Sequence, residues 1–189
     1  MSVGDSAVLK LIEPTPESLS KMKAGLAELK VHPTPYDIGQ TESLIKFMEN
    51  DFKGYLEDWQ EKRGPEQPEG KVPATTLFLF DDDKFIGFYN IRHYLNDFLK
   101  IQGGHIAYQI IPSERGKGYV KQGLKLVLKW CYDNLGTDEV MLSCNAENHA
   151  SDRAMTSVME EVGGHRDPDF KLDNHIERRV WIKTQKVRE

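Results

Sequence analysis

Two glycines and two cations follow one another at Arg115-Gly116-Lys117-Gly118, in a segment suited to anion binding. A strand pattern that ends at Pro112 precedes them, and an amphipathic helix pattern follows. The first turn of a helix presents unpaired N–H groups and a partial positive charge, which suit a phosphate. Glycine lets the backbone approach a ligand closely, and the two cations can add charge-assisted hydrogen bonds. The segment is therefore interpreted as a phosphate-binding loop or as a glycine-rich helix start with solvated charges. It has neither the Walker nor the GxGxxG spacing.

Composition describes an ordinary globular chain with a moderate excess of acids. The 189 residues include 39% hydrophobic and 29% charged residues, and the net charge is −5. This length allows one sizeable core, and the acidic balance argues against a nucleic-acid partner. The two cysteines, Cys131 and Cys144, fall in a predicted helix and at a strand end, which favours a reducing cytosol over a disulfide framework. No signal peptide or membrane-spanning run is recognisable. We expect one cytoplasmic domain over residues 7–187.

The elements that must position the loop follow from the spacing of apolar residues. A strand at 7–12 precedes two helices within 16–62, the second carrying an apolar stripe, and a Gly/Pro-rich connection follows. From 75 to 183 the pattern predicts a hairpin, a third strand, a helix, a strand, a helix and a final strand. The stripe consists of Ile45, Met48, Phe52, Tyr55, Leu56 and Trp59. The order predicts a mixed α/β (α+β) domain.

The stretch "GGHIAYQIIPSERGKGYV" closely resembles the acetyl-CoA-binding signature of the GNAT superfamily of N-acetyltransferases. That signature is Arg or Gln, two residues, Gly, one residue, then Gly or Ala; Arg115, Gly118 and Val120 stand at these positions, so the last one departs from it. "LSCNAENHAS" resembles the family's second cofactor segment, which carries an Asn, and "NIRHYLN" resembles a bacterial branch of predicted acetyltransferases. The resemblance covers roughly 75–183. It implies a GNAT-like, mostly antiparallel central sheet with helices on both faces.

The resemblance also implies roles for individual residues. The loop would hold the cofactor pyrophosphate, Ile110 and Ile111 would hold the pantetheine arm and thioester, and Asn148 would bind the arm from the other side. Many relatives use a Tyr early in the next helix to protonate the leaving thiolate, and Met155 stands at that position here. The implied loop residues are Arg115, Gly116, Lys117, Gly118, Tyr119 and Val120.

Acyl transfer to an amine needs a group that takes the amine's proton, and a second group can protonate the thiolate. His93 and His105 are candidates for the first role because imidazole titrates near neutral pH. Tyr108, on the strand before the loop, is the candidate for the second; each of the three has a purely structural alternative. Cys144 is interpreted as a small buried residue rather than a covalent acetyl carrier.

Three further expectations concern charge and metals. Glu114 is expected to be solvated. His149 and His165 lack metal-ligand spacing, so no metal is expected. Residues 37–69 contain nine acids and four cations, which form either a solvated helix face or a negative mouth that attracts a cationic amine.

The resulting functional expectation is transfer of an acetyl group from acetyl-CoA to a primary amine of a small molecule or peptide. Two alternatives stay open: a catalytically weak CoA-binding sensor or scaffold, and a fold whose glycines serve packing alone. The acceptor is not indicated by the sequence. We expect a monomer or a homodimer without a nucleic-acid or membrane partner.

Overall fold

The computed structural model of the protein describes residues 8–36 and 40–185, so residue 7 and residues 186–187 of the expected domain lie outside the described residues. Short strands alternate with helices along this part of the chain. The strands are β1 (Leu9–Ile12), β2 (Ala74–Asp81), β3 (Lys84–Arg92), β4 (Ile106–Ile110), β5 (Glu139–Asn145), β6 (Gly164–Arg166), β7 (Phe170–Lys171) and β8 (Ile176–Lys183). The helices are α1 (Pro16–Val31), α2 (Gln40–Asn50), α3 (Phe52–Arg63), α4 (Asp97–Ile101), α5 (Tyr119–Leu135) and α6 (His149–Val162).

The strands form two antiparallel sheets. The first sheet has the order β1-β2-β3-β4, and the second has the order β5-β8-β6, with β7 also paired to β8. The sheets meet at His105, whose N–H donates to the Met141 carbonyl at 2.7 Å while its Nδ1 accepts the Met141 N–H at 2.9 Å. Beyond this junction, β4 is paired with β3 and β5 with β8 among the described residues, so one edge of β4 stays free.

Helices cover both faces of the first sheet, because successive side chains of a strand point to opposite sides. Leu77 and Leu79 of β2 pack in one core with α5 and α6, whereas Phe78 and Phe80 pack in a second core with α1, α2 and α3. Burying an aliphatic or aromatic side chain of this size contributes about 1.5–3 kcal/mol. The alternation of β2 thus fixes which helices lie on which face.

The predicted fold class is confirmed: the domain is mixed α/β, its strand pairings are antiparallel, and helices lie on both faces. The sheet is divided into two halves, however. The predicted second helix is also divided, because the Asp51 carboxylate accepts the Gly54 N–H at 2.9 Å and starts α3. The predicted apolar stripe has three buried members, Ile45, Tyr55 and Trp59. The side chain of Met48 is not among those that the structure describes.

Sequence reasoning also missed a short helix and two short strands. Asn96 caps α4 by accepting the Leu99 N–H at 2.9 Å, and this helix lies between the predicted hairpin and the third strand, where no helix was predicted. The predicted final strand is β8, and two short strands that were not predicted, β6 and β7, pair with it.

Candidate functional site

A cavity of about 1020 Å³ lies between the two sheets. One wall is the free edge of β4, and the opposite wall is the end of β5 together with the N-terminal end of α6. The residues before α5 and the first residues of α5 border it as well. Thr34, Pro35, Tyr36 and Thr41, from around the start of α2, line a further part of it. The cavity is therefore built where the two halves of the sheet separate.

The glycines before α5 have a conformation that other residues adopt with strain. Gly116 has φ 75° and Gly118 has φ 83°, both in the left-handed region. A Cβ atom on Gly116 would meet no atom within 4 Å, and one on Gly118 would meet only the Gln122 amide nitrogen at 3.8 Å. Gly118 is the N-cap of α5 and carries no side chain to cap it. The first amides of this 17-residue helix thus face open space, an arrangement that attracts an anion.

A buried carboxylate stabilises the start of this loop. Glu114 is 3% exposed and forms ion pairs with Lys84 at 2.5 Å and Lys117 at 3.2 Å. The Lys84 ammonium, followed by Lys117, holds the pKa of this carboxyl below its ordinary value. The expectation that Glu114 is solvated was therefore wrong, because a lysine from the β2–β3 hairpin reaches across to it.

Seven of the nine predicted cofactor residues line the cavity: Ile110, Arg115, Gly116, Gly118, Tyr119, Val120 and Asn148. The other two, Ile111 and Lys117, are not among the lining residues in the part of the chain that the structure describes. Ile111 is 3% exposed and packs in the second core, because it points to the opposite face from Ile110. Lys117 is held by Glu114 instead.

Three lining residues of this set are fixed by hydrogen bonds. Arg115 Nε donates to the Ile110 carbonyl at 3.0 Å, and the Tyr119 hydroxyl donates to Asp81 at 2.6 Å. Asn148 is the N-cap of α6 and accepts the Ser151 N–H at 3.2 Å. The first two bonds tie the loop and the start of α5 to the first sheet, and the third caps the start of α6.

Val120, which departs from the family signature, is accommodated by the fold. It packs against the first core, and its carbonyl accepts a hydrogen bond from the Tyr89 hydroxyl at 3.1 Å. The branched side chain thus contributes to packing at the base of the loop.

The two predicted imidazole bases lie apart from the cavity lining. His105 is 7% exposed and holds the junction between the sheets, and burial, followed by Arg92, lowers its pKa to about 4. His93 Nε2 lies 2.8 Å from the Thr75 hydroxyl, and burial followed by Arg63 lowers its pKa. Both positions fit structural roles better than direct contact with a substrate.

Tyr108 does line the cavity, and its hydroxyl lies 2.6 Å from the Ser151 hydroxyl of α6. Burial raises the pKa of Tyr108 to about 12, so the phenol stays protonated at neutral pH. The pair places two O–H groups between the facing walls. Ser151 was not among the sequence candidates.

Sequence reasoning also missed a polar network at the β8 side of the cavity. Ser143, Asn174, His175 and Glu177 all line it, and Glu177 is 3% exposed. The only sequence signal was the His-x-Glu spacing at a strand start, which puts both side chains on one face. Which face borders a cavity is a property of the tertiary structure.

Burial also determines the state of the thiols. Cys131 and Cys144 are both free and buried, and burial raises the pKa of each to about 12.

Within residues 8–36 and 40–185, no group of three or more His, Cys, Asp or Glu side chains is arranged to hold a metal ion. None of the helices described is long and apolar enough to cross a membrane.

Comparison with known families gives a match over most of the chain. The family model described as "Acetyltransferase (GNAT) domain" matches residues 9–158. The chain belongs to the GNAT acetyltransferase family. The match spans the glycine loop, α5, β5 and most of α6, which are the elements that build the GNAT cavity described above.

Solved GNAT structures share the fold at low sequence identity. A spermidine N-acetyltransferase chimera of Vibrio cholerae SpeG and hSSAT is 16% identical with a TM-score of 0.56, covering 95% of this chain and 97% of that chain. RimL, a ribosomal L7/L12 alpha-N-protein acetyltransferase in complex with coenzyme A, is 14% identical with a TM-score of 0.59 (94% and 95% covered). Mycobacterium smegmatis RimJ in complex with CoA-disulfide is 14% identical with a TM-score of 0.61 (97% and 85%). No curated protein matched the chain.

Proposed function

We propose that this GNAT protein transfers the acetyl group of acetyl-CoA to a primary amine of a small molecule or peptide. The observation that carries the proposal is the helix start at Gly118, which opens onto a cavity bordered by the free edge of β4. A phosphate-binding helix end beside an unpaired strand edge suits a ligand with a charged head and an extended amide-containing arm. Acetyl-CoA has this form.

The residues present fit the two parts of such a ligand. The first amides of α5 and the Arg115 guanidinium, on an exposed residue, would bind the phosphates. The N–H and C=O groups on the outer edge of β4, apart from the Ile110 carbonyl that accepts from Arg115, are free to pair with the arm as an added strand would. Asn148 would face the arm from the opposite wall. RimL in complex with coenzyme A is a structural neighbour, which supports this assignment.

In the proposed reaction, the cavity holds the amine beside the thioester, and positioning supplies a large part of the rate. One hydroxyl of the Tyr108–Ser151 pair would accept a hydrogen bond from the other and donate its own hydrogen to the departing thiolate. Because the pKa of Tyr108 is about 12, above the ordinary thiol value of about 8.5, full proton transfer from the phenol is uphill and hydrogen bonding is its main contribution. The absence of a tyrosine at position 155 favours the sensor alternative, and this hydroxyl pair supports the enzymatic one because it offers a donor in place of that tyrosine.

The acidic segment at 37–69 does not help to identify the acceptor. Asp37 lies outside the described residues, the side chain of Glu42 is not among the described ones, and the described lining includes none of the segment's other acids. Glu49 and Asp58 pair with Lys30 and Lys62. A solvated helix face accounts for these charges.

The test is release of free CoA thiol with three acceptors: spermidine, a lysine peptide and a peptide with a free α-amine. These acceptors represent the small-molecule and peptide classes. We expect release above the acceptor-free rate, and an acceptor mass increase of one acetyl group, for at least one of them. The same acceptors with acetylated amines serve as controls. CoA binding without thiol release from any acceptor would contradict the enzymatic proposal.

Direct transfer predicts that Cys144→Ala acetylates the acceptor within about twofold of the wild-type rate. The thiol has a pKa of about 12 and is a poor nucleophile at neutral pH, because the thiolate is the reactive form. Initial rates and intact-mass spectrometry check this prediction. An acetylated Cys144 in the wild-type protein, together with loss of turnover in the variant, would show a covalent mechanism instead.

A further inference from the structure

The carboxylate of Glu177 is buried at the cavity wall with a hydrogen-bond partner on each oxygen. Its side chain is 4% exposed; Oε1 lies 2.5 Å from Ser143 Oγ, and Oε2 lies 2.9 Å from His175 Nε2. Burying a carboxylate is costly unless hydrogen bonds or opposite charge compensate it. These two contacts satisfy it, and they also fix the ring of His175, whose side chain is 12% exposed.

The direction of the hydrogen bonds follows from their donors. The Gly103 N–H donates to Ser143 Oγ at 2.7 Å, so the Ser143 hydroxyl hydrogen is directed to Glu177. An ionised carboxylate accepts only, so Oε2 takes the Nε2–H of His175. In the neutral ring the lone pair is then on Nδ1, by the same logic that sets the histidine tautomer in hydrolase triads.

Nδ1 faces a group that can move aside. It lies 2.7 Å from Oδ1 of Asn174, an exposed residue. Because an amide oxygen only accepts, a lone pair on Nδ1 requires a half-turn of this amide, which brings its NH₂ to Nδ1 as the donor. An incoming amine can replace the amide at the same nitrogen.

The network lies at the end of the cavity away from the glycine loop. The loop follows Ile110 at the end of β4, whereas Ser143 contacts Gly103, just before the start of β4. At about 3.3 Å per residue, the five residues of β4 separate the two places by roughly 15 Å. A ligand with its phosphates at Gly118 and its arm along β4 presents its thioester towards this network.

We propose that His175 Nδ1 is the general base that takes the proton of the acceptor amine, with Glu177 as the residue that positions it. This inference rests on the proposed function. The amine lone pair forms the C–N bond to the thioester carbonyl carbon, and the extra amine proton passes to Nδ1. The C–S bond breaks, its electron pair leaves with sulfur, and the thiolate takes a proton from solvent. The imidazolium, stabilised by Glu177, returns its proton to solvent, so the products are the N-acetyl amine and CoA.

The test compares His175→Gln and Glu177→Gln with His149→Gln, an exposed histidine outside the described lining. Glutamine at 175 can still donate to Glu177 but cannot take a proton, so the fold is retained. We expect kcat with the best of spermidine, the lysine peptide and the α-amino peptide to fall about 100-fold in His175→Gln, because general base catalysis contributes about 10²–10⁴-fold. The Kd for CoA should stay unchanged, and His149→Gln should match the wild type.

A spectroscopic readout separates catalysis from support of the fold. ¹⁵N NMR of the wild-type protein should show His175 with hydrogen on Nε2 and none on Nδ1, and Glu177→Gln should weaken that preference together with kcat. An unchanged kcat in His175→Gln, or a hydrogen on Nδ1 in the neutral ring, would overturn the assignment of His175 alone. A wild-type protein inactive on all three acceptors would overturn the proposed function.

Discussion

Gly118→Val is expected to bind CoA at least about tenfold more weakly than the wild-type protein, a loss of about 1.4 kcal/mol or more in binding free energy. Two causes act together. The residue has φ 83°, where a β-branched side chain costs about 1–2 kcal/mol, so the loop shifts from its present geometry. The added methyl groups also occupy the open space in front of the first amides of α5, where phosphate oxygens would lie. Isothermal titration calorimetry with CoA measures the effect.

The other end of the same helix provides a matched control. Gly136 ends α5 with φ 62°, and a Cβ there would meet nothing within 4 Å. Gly136→Val therefore introduces a similar backbone strain far from the cavity, and we expect it to lower stability without changing the Kd for CoA. Equal changes of Kd in the two variants, or no change in Gly118→Val, would contradict the phosphate site.

His105 is expected to make the protein lose stability on mild acidification. Its pKa is about 4 in the folded protein against an ordinary value of 6.5, so the unfolded chain binds a proton more readily between these values. Stability therefore falls as the pH falls through this window. The full shift corresponds to about 3 kcal/mol, of which roughly 2 kcal/mol is lost between about pH 6.5 and about pH 5, before most carboxylates titrate.

His105→Asn should remove much of this dependence, because an amide oxygen can accept the Met141 N–H without titrating. Urea unfolding at the two pH values gives the free energies. His165→Asn is the control, since that histidine also lies against Trp181 but has a side chain that is 57% exposed. The prediction fails if His105→Asn and the wild type lose the same stability over this window.

Local sequence was sufficient to predict the strand, the glycine loop and the helix that follows it, because these three elements are contiguous in the chain. Local sequence could not predict which residues line the cavity where this depends on the side of a strand that faces it. Ile110 and Ile111 are adjacent and equally apolar, yet only Ile110 lines the cavity. Asp51 shows a second reason for error. It caps the start of α3, but the apolar stripe continues from α2 into α3, so the pattern predicts one helix where there are two.

Contacts distant in sequence account for the remaining errors. Glu114 is buried because Lys84, thirty positions earlier, reaches it. Glu177 becomes part of the site through Ser143, which lies on another strand. No local sequence pattern predicts either of these two contacts, since both result from the order of strands in the two sheets.

The free edge of β4 has a consequence for the protein when no ligand is bound. An unpaired strand edge is a template on which another polypeptide can add, which in an exposed position leads to aggregation. Here the edge is recessed between two sheets that join at His105 and Met141, and the facing wall is formed by the end of β5 and by α6. A slender chain can enter this cleft, whereas a second sheet is excluded by the walls. The geometry that suits the edge for a pantetheine-like arm therefore also keeps neighbouring molecules from polymerising on it.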